Sequence, residues 1–304
     1  MNAQGRDCTL AVKTEHCEMD IPYTEETIRE NIFLWEENPC IEGNGTCKVM
    51  RKYSGAAGCI VTPLTINAVP LFLYIALGDT DKPVFVSGTR NVYQYRHYLV
   101  PMEDTEPFGL IQYRGDEYRY YPFCYVKGFE LRILRDESIK LKMDISSGYA
   151  PFLFLYNDKP QNQTSEMAQY QTSKMSGTAK KGERFKGENV NYKINGKEYG
   201  NIYGLTLSVK KGGGVKTEVW IRRVLEIGAD LPEMIEELTI TALLLRDKYE
   251  ERHFGKIRIT LRCLFLHSDE TSIECPDSVI GPLRYISSCV VTANIFSSGE
   301  AGIP

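Results

Sequence analysis

Nine cysteines and four histidines are the residues of this chain that could support nucleophilic or metal chemistry. The number of cysteines is odd, no two of them form a Cys-x-x-Cys pair, and no two histidines have the spacing His-x3-His. Structural zinc sites usually take their ligands from closely spaced pairs. We therefore predict no metal site, and we expect reduced thiols that are mostly buried.

Cys124 and His97 are the residues that could form a thiol–imidazole dyad, with Cys59 as a second candidate nucleophile for a thiol hydrolase. Cys124 lies in an aromatic, strand-like segment, which favours a buried and inert thiol. The triple glycine at 212–214 lacks the Gly-Lys-Ser/Thr ending of a phosphate-binding loop and indicates a turn. The adjacent pair Glu25-Glu26 is more typical of solvated surface than of paired catalytic carboxylates. The sequence thus predicts no catalytic residue, no cofactor and no enzyme.

Size and charge limit the remaining possibilities. The chain has 304 residues, of which 42% are hydrophobic, so it can form one large or two smaller domains. Its net charge of −4 disfavours a nucleic-acid binder that depends on neutralising phosphates. No apolar run approaches the roughly 18 residues of a membrane span, so we predict no membrane contact. The N-terminal residues contain scattered acidic side chains and no apolar stretch, so we expect no secretory signal.

Strand patterns dominate the chain. Apolar and charged residues alternate at 129–134 and again at 139–145, with a polar turn between them, which predicts an amphipathic hairpin. A second hairpin is predicted from the alternation at 205–209, the glycine turn and the return strand at 215–222. In both hairpins a glycine, Gly128 or Gly204, precedes three alternating apolar residues. We interpret this as a duplicated β domain, although amphipathic hairpins in general share the pattern.

Helix signals are few. Residues 67–77 predict a short helix with Asn67 as its cap, Pro70 in its first turn and Gly78 at its end. A second helix is predicted at 231–237, with an edge loop as the alternative because 238–243 has a strand pattern. The polar stretch 157–187 is typical of a linker. We therefore predict a first domain at 1–156, a linker at 157–187 and a second domain at 188–304.

Each predicted hairpin has unpaired N–H and C=O groups along its edges, and a ring of copies would pair all of them. One face would then pack against an outer layer while the other lines a wet channel, although the same alternation fits any solvated sheet. Arg222 and Arg223, which close the second hairpin, are expected to pair with a neighbouring subunit. The residues predicted to form the ring and its channel are Phe129, Glu130, Leu131, Arg132, Ile133, Lys140, Lys142, Asp144, Leu205, Leu207, Val209, Val215, Lys216, Glu218 and Trp220.

The order of these features resembles the two-part tail tube proteins of long-tailed (siphovirus-type) phages and related gene-transfer particles. The resemblance covers most of the chain and includes a strand that leads into a helix, an aromatic strand containing His97, and a strand with the pattern aromatic-x-x-Cys-x-Val. The segments that resemble the family are 21–27, 43–65, 69–77, 93–98, 108–113, 121–129, 202–209, 238–243 and 257–265.

The resemblance implies a mainly-β sandwich or barrel, duplicated, with a short flanking helix in each domain. It also implies a structural subunit of the virion tail that assembles in the host cytoplasm. Its copies would form a hexameric ring, or a trimeric ring with pseudo-sixfold symmetry. These rings would stack into a hollow tube, contact other tail proteins and let DNA pass without specific binding, which the mild acidity of the chain fits.

An alternative function is a β-sandwich module that binds carbohydrate or another ligand on a particle surface. It is motivated by the aromatic faces of the tyrosine-rich strands, in particular by Tyr118, Tyr120, Tyr121 and Tyr125.

Overall fold

The computed structural model describes residues 8–14, 18–36, 49–66, 68–82, 84–85, 92–114, 117–149, 151–155, 183–200, 202–211, 217–226, 234–247, 250–266 and 286–296. These residues form many β-strands and one α-helix. None of the helices in these ranges has the length and apolar character needed to span a membrane.

In chain order the elements are β1 (Cys8–Lys13), β2 (Glu18–Ile21), β3 (Glu25–Glu26), β4 (Arg29–Glu36), β5 (Val49–Pro63), α1 (Val69–Leu77), β6 (Gly78–Thr80), β7 (Val84–Phe85), β8 (Val92–Leu99), β9 (Phe108–Arg114), β10 (Glu117–Leu134), β11 (Lys140–Ser147), β12 (Phe152–Leu155), β13 (Val190–Ile194), β14 (Lys197–Tyr199), β15 (Ile202–Lys211), β16 (Thr217–Glu226), β17 (Met234–Asp247), β18 (Glu250–Leu266) and β19 (Ile286–Phe296).

Two antiparallel sheets contain these strands. The first sheet has the order β2-β1-β9-β10-β11-β5-β3, with β4 beside β5, β12 and β15 beside β10, and β16 beside β15. The second sheet has the order β14-β13-β17-β18-β19-β8-β6, with β7 beside β8. Each sheet includes strands from before and after the predicted linker, so the division between the sheets does not fall at 157–187.

The two sheets pack face to face and α1 lies between them. A small apolar cavity of about 20 Å³ marks this junction, because its lining includes Leu131 and Leu207 of the first sheet, Ile257 and Ile259 of the second, and Leu73 of α1. All five side chains belong to one continuous hydrophobic core. The mainly-β sandwich architecture expected from the sequence is therefore confirmed.

The helix α1 forms where the sequence predicted it. Its N-cap is Ala68 and not the expected Asn67, which lies outside the described residues, and no side chain caps this end. Gly78 ends the helix in the left-handed region, with a φ of 105°. Nearly every residue of α1 is buried, which fits a helix enclosed between two sheets.

The second predicted helix, at 231–237, does not form in the residues described there. Met234 begins strand β17, in which Ile235, Leu238 and Ile240 are buried. Strand pairing with β18 over the whole length of β17 outweighs the local helix signal, because it satisfies the backbone and buries the alternating apolar side chains together.

The end of the predicted linker is also part of the core. Phe185 is fully buried, and its backbone N–H donates to the carbonyl of Leu64 while its carbonyl accepts from the N–H of Ile139. Residues 157–182 lie outside the described ranges. Phe185 is a large aromatic residue in a mostly polar stretch, and this could have indicated from the sequence that the end of the stretch is packed.

Both predicted hairpins form, as β10–β11 and as β15–β16. The expectation that each hairpin has open edges is wrong for three of the four strands, because the two hairpins join directly through β10 and β15, and β11 also pairs with β5. Leu131 pairs with Leu207 at the centre of the β10–β15 ladder, while Gly128 pairs with Lys210 and Gly204 with Leu134. The two similar segments are thus related by a local twofold axis between the two leucines.

Candidate functional site

The candidate site is the outer face of β11, β10, β15 and β16. On β10 and β15 the predicted apolar residues point into the sandwich and are buried. These are Phe129, Leu131, Ile133, Leu205, Leu207 and Val209. They hold the sheet against the core, so the outer face is left to the residues that alternate with them.

Three rows of paired residues cross this outer face. The register places Lys140, Arg132 and Thr206 in one row, Lys142, Glu130 and Ser208 in the next, and Asp144, Gly128 and Lys210 in the third. Arg132, Asp144 and Lys210 are exposed, while Glu130, Lys140 and Lys142 are partly exposed. The face is therefore wet and charged, and the apolar cavity at the junction of the sheets does not lie on it.

Four predicted site residues cannot be placed in the same detail. Val215 and Lys216 lie outside the described residues. Glu218 and Trp220 belong to β16, where the register pairs them with Lys210 and Ser208, and their side chains lie outside what the structure describes.

Polar contacts link neighbouring residues on this face. Lys140 donates to Glu137 in the hairpin turn at 2.8 Å, and this hydrogen bond lowers the pKa of the Glu137 carboxyl. The hydroxyl of Ser208 donates to Glu130 at 3.5 Å, across the junction of the two hairpins. Glu137 also offsets the direct opposition of the two cations Arg132 and Lys140, which would otherwise be unfavourable.

The balance of charge on this face differs from that of the whole chain. The three rows contain four cations, Arg132, Lys140, Lys142 and Lys210, and two carboxylates, Glu130 and Asp144. The mild acidity of the chain is therefore not reproduced in this part of the predicted channel surface. With four cations against two carboxylates, these rows would attract a polyanion, and because charges of both signs lie close together the attraction is modest and screened by salt.

Gly128 is the position that lets the two hairpins join. A Cβ atom at Gly128 would lie 2.7 Å from the carbonyl oxygen of Val209 on β15. The strand β10 also has a bulge between Val126 and Gly128, which keeps Val126 and Phe129 both facing the core. The glycine of the repeated pattern is thus required by close strand approach rather than by a turn.

Lys211 anchors the end of β15 to the helix. This lysine is 4% exposed, and its ammonium donates to the carbonyl of Leu77, at the end of α1, at 3.0 Å and to the hydroxyl of Thr105 at 3.3 Å. Burial lowers the pKa of Lys211 to about 8. The interaction with the negative end of the helix dipole partly offsets this desolvation.

The sequence interpretation missed a polar network around Glu26. Glu25 is exposed as expected, but the side chain of Glu26 is only 7% exposed, and its carboxylate accepts a hydrogen bond from Gln112 at 2.6 Å. Glu30 pairs with Arg119 at 3.5 Å nearby. These contacts connect β3 and β4 with β9 and β10, so the first sheet curls and the network fixes one of its edges.

Both members of the considered thiol–imidazole dyad, Cys124 and His97, are buried. Cys124 is 1% exposed, and burial raises the pKa of its thiol to about 12, so little thiolate exists at neutral pH. His97 lies on β8 in the other sheet, and burial lowers its pKa to about 4. Cys59 is also a free thiol and is partly exposed.

The tyrosine-rich strand divides between core and surface. Tyr121 is fully buried, whereas Tyr118, Tyr120 and Tyr125 are partly buried. Three other aromatic side chains are exposed nearby: Phe123 at 49%, Tyr149 at 59% and Phe152 at 49%. Phe123 has a φ of 49°, which is unusual for a bulky residue, and it lies at the bulge between Tyr121 and Cys124.

Comparison with protein-family models and with curated proteins gives no match to this chain.

Proposed function

We propose that the protein is a structural subunit that self-assembles into stacked rings, which form a hollow tail tube through which DNA passes. The observation that supports this most is the outer face of β11, β10 and β15, where charged and polar residues alternate over three adjacent strands with buried apolar ones. A wall between a dry core and a wet lumen requires this division.

A tube of this kind belongs in the virion tail, assembled in the host cytoplasm and in contact with other tail proteins. The mixed charges of the outer face support passage of DNA without specific binding, because no surface of uniform positive charge is present in the described rows to neutralise phosphates. Contacts with single phosphates would be weak and sensitive to salt.

A hexameric ring is favoured over a trimer with pseudo-sixfold symmetry. Both hairpins belong to a single sheet in which a local twofold axis relates them, and that sheet faces a single second sheet. A pseudo-sixfold trimer would instead need two similar units in each chain that follow one another by rotation around the ring.

The test is assembly of the purified protein. We expect rings or tubes in negative-stain electron microscopy and a species far larger than 34.6 kDa in sedimentation velocity, increasing with protein concentration. A protein that stays monomeric at the highest soluble concentration, in low and in physiological salt, would contradict the proposal.

A second candidate function is binding of carbohydrate or another ligand, which the exposed rings of Phe123, Tyr149 and Phe152 favour because aromatic faces stack on sugar rings. A glycan array distinguishes the two candidates. Hits that disappear in Tyr149→Ala, combined with a monomeric protein, would replace the tube by a binding module.

A further inference from the structure

The first sheet has two long strands that pair on one side only. Among the described strands, β16 pairs only with β15 over ten residues, and β4 pairs only with β5 over eight residues. The short strand β3 continues the β4 edge along the same side of β5. We call β3 and β4 together the β3–β4 edge. Unpaired strand edges present rows of N–H and C=O groups that can pair with another chain.

The local twofold axis indicates what is missing beside β16. This axis exchanges the two hairpins, so it relates β16 to β11. The outer side of β11 is occupied by β5, which pairs with it from Pro63 to Ala56. The equivalent position beside β16 is unfilled in the described part of the chain, although β16 comes close to β19 of the second sheet.

Strand directions determine which edge can fill that position. Every pairing from β16 through β15, β10, β11 and β5 to the β3–β4 edge is antiparallel, so β16 runs opposite to both β3 and β4. When the subunits of a ring are related by rotation about an axis parallel to the strands, each strand runs in the same direction in every subunit. The β16 strand of one copy would therefore meet the β3–β4 edge of the next copy in antiparallel orientation, the better-paired arrangement.

We propose that this chain associates with a second copy of itself by pairing β16 with the β3–β4 edge, which makes the first sheet continuous from subunit to subunit. The proposal rests on the proposed self-assembly and specifies its interface. Two features of the edges support it. Ile32 on β4 is 45% exposed, which is unusual for a large apolar side chain. The sequence of β16 contains two cations, Arg222 and Arg223, opposite in sign to the exposed Glu25 on β3.

Hydrogen exchange followed by mass spectrometry tests the interface directly. On assembly, we expect slower exchange in peptides that cover 29–36 and 217–226, and little change in β14, an edge strand of the second sheet. Protection of 217–226 alone would indicate a twofold β16–β16 contact and would overturn the proposal. Protection confined to the second sheet would overturn it as well, while leaving self-assembly intact.

A matched pair of variants separates the interface from general surface effects. Ile32→Lys places a charge on the β3–β4 edge, whereas Val84→Lys makes a similar change on β7, a short edge strand of the second sheet where Val84 is 62% exposed. We expect Ile32→Lys to raise the concentration for half-assembly about tenfold or more, with Val84→Lys close to wild type.

Both variants should keep the wild-type melting temperature of the unassembled protein. Equal assembly of the two variants would overturn the proposed edge. If wild-type protein forms no species larger than a monomer, the proposed function itself is contradicted. Sedimentation velocity of the wild type measures that outcome separately from the comparison of the two variants.

Discussion

Acid should destabilise this protein through His97, a buried residue of β8. The side chain is 1% exposed and stacks on Tyr95 with a distance of 6.4 Å between ring centroids. Neither ring nitrogen has a hydrogen-bond partner in the part of the chain that the structure describes. Burial lowers the pKa of His97 from 6.5 to about 4, because the charged ring would lose its hydration without gaining a partner.

The sign and size of the effect follow from proton linkage. Well above pH 6.5 the ring is neutral in both the folded and the unfolded chain, so His97 adds no pH dependence there. As the pH falls from 6.5 to about 4, the unfolded chain binds a proton that the folded chain does not, and stability decreases. The full difference between the unfolded and folded pKa of His97 corresponds to about 3 kcal/mol in the free energy of unfolding. About 2 kcal/mol of this is lost between about pH 7 and pH 5.

The assay is urea unfolding at about pH 7 and pH 5, followed by circular dichroism, for wild type and for His97→Phe. The phenylalanine keeps a ring beside Tyr95 but cannot titrate. Any packing cost of the substitution appears at both pH values, so the difference in pH dependence between the two proteins reports His97 alone. An identical loss of stability in both proteins, or an NMR titration of His97 with a pKa near 6.5, would refute the reasoning.

Further predictions concern the hairpin junction, a turn, a buried lysine and the thiols. Gly128→Ala should destabilise the fold by about 2 kcal/mol or more in urea unfolding, because its Cβ would lie 2.7 Å from a backbone oxygen of β15. Gly196→Ala should lower the free energy of unfolding by only about 1 kcal/mol, because the added Cβ would meet no neighbouring atom and only the φ of 79° is unfavourable. Gly200→Ala, where the added Cβ also meets no neighbouring atom, serves as the control. The stability of wild type should rise between about pH 8 and pH 10.5, because the pKa of Lys211 is lowered to about 8, and Lys211→Met should remove that rise. Peptide mapping of iodoacetamide labelling in native protein should find Cys59 modified before Cys124, and rapid labelling of Cys124 would contradict its burial.

The parts of the fold that the sequence predicted are those with local signals. Alternation from Phe129 to Ile133 and the polar turn before Lys140 identify the first hairpin, since both depend on residues close in the chain. The end of α1 at Gly78 was predicted for the same reason, as a glycine is needed for the positive φ there. The hairpin β13–β14 had an equally local signal, the Asn195-Gly196 turn, which the sequence interpretation overlooked.

The features that could not be predicted depend on partners far away in the chain. Glu26 is buried because Gln112, 86 residues later, donates to its carboxylate, and nothing near Glu26 in the sequence indicates that contact. The junction of β10 with β15 is likewise non-local. The repeated glycine pattern was visible, but the pattern alone does not distinguish two separate domains from two segments that pair with each other about a twofold axis.

The direct junction of the hairpins changes what assembly requires. Two separate hairpins would each have two open edges, and many different pairings among copies would satisfy them. Joined through β10 and β15, and with β11 covered by β5, the described run of strands from β16 to β3 and β4 has one open edge at each end. These edges differ in sequence, and the Glu26 network fixes the second one in position. Two unlike edges at opposite sides of one sheet favour head-to-tail association, and such contacts form a closed ring when the rotation between copies divides a full turn.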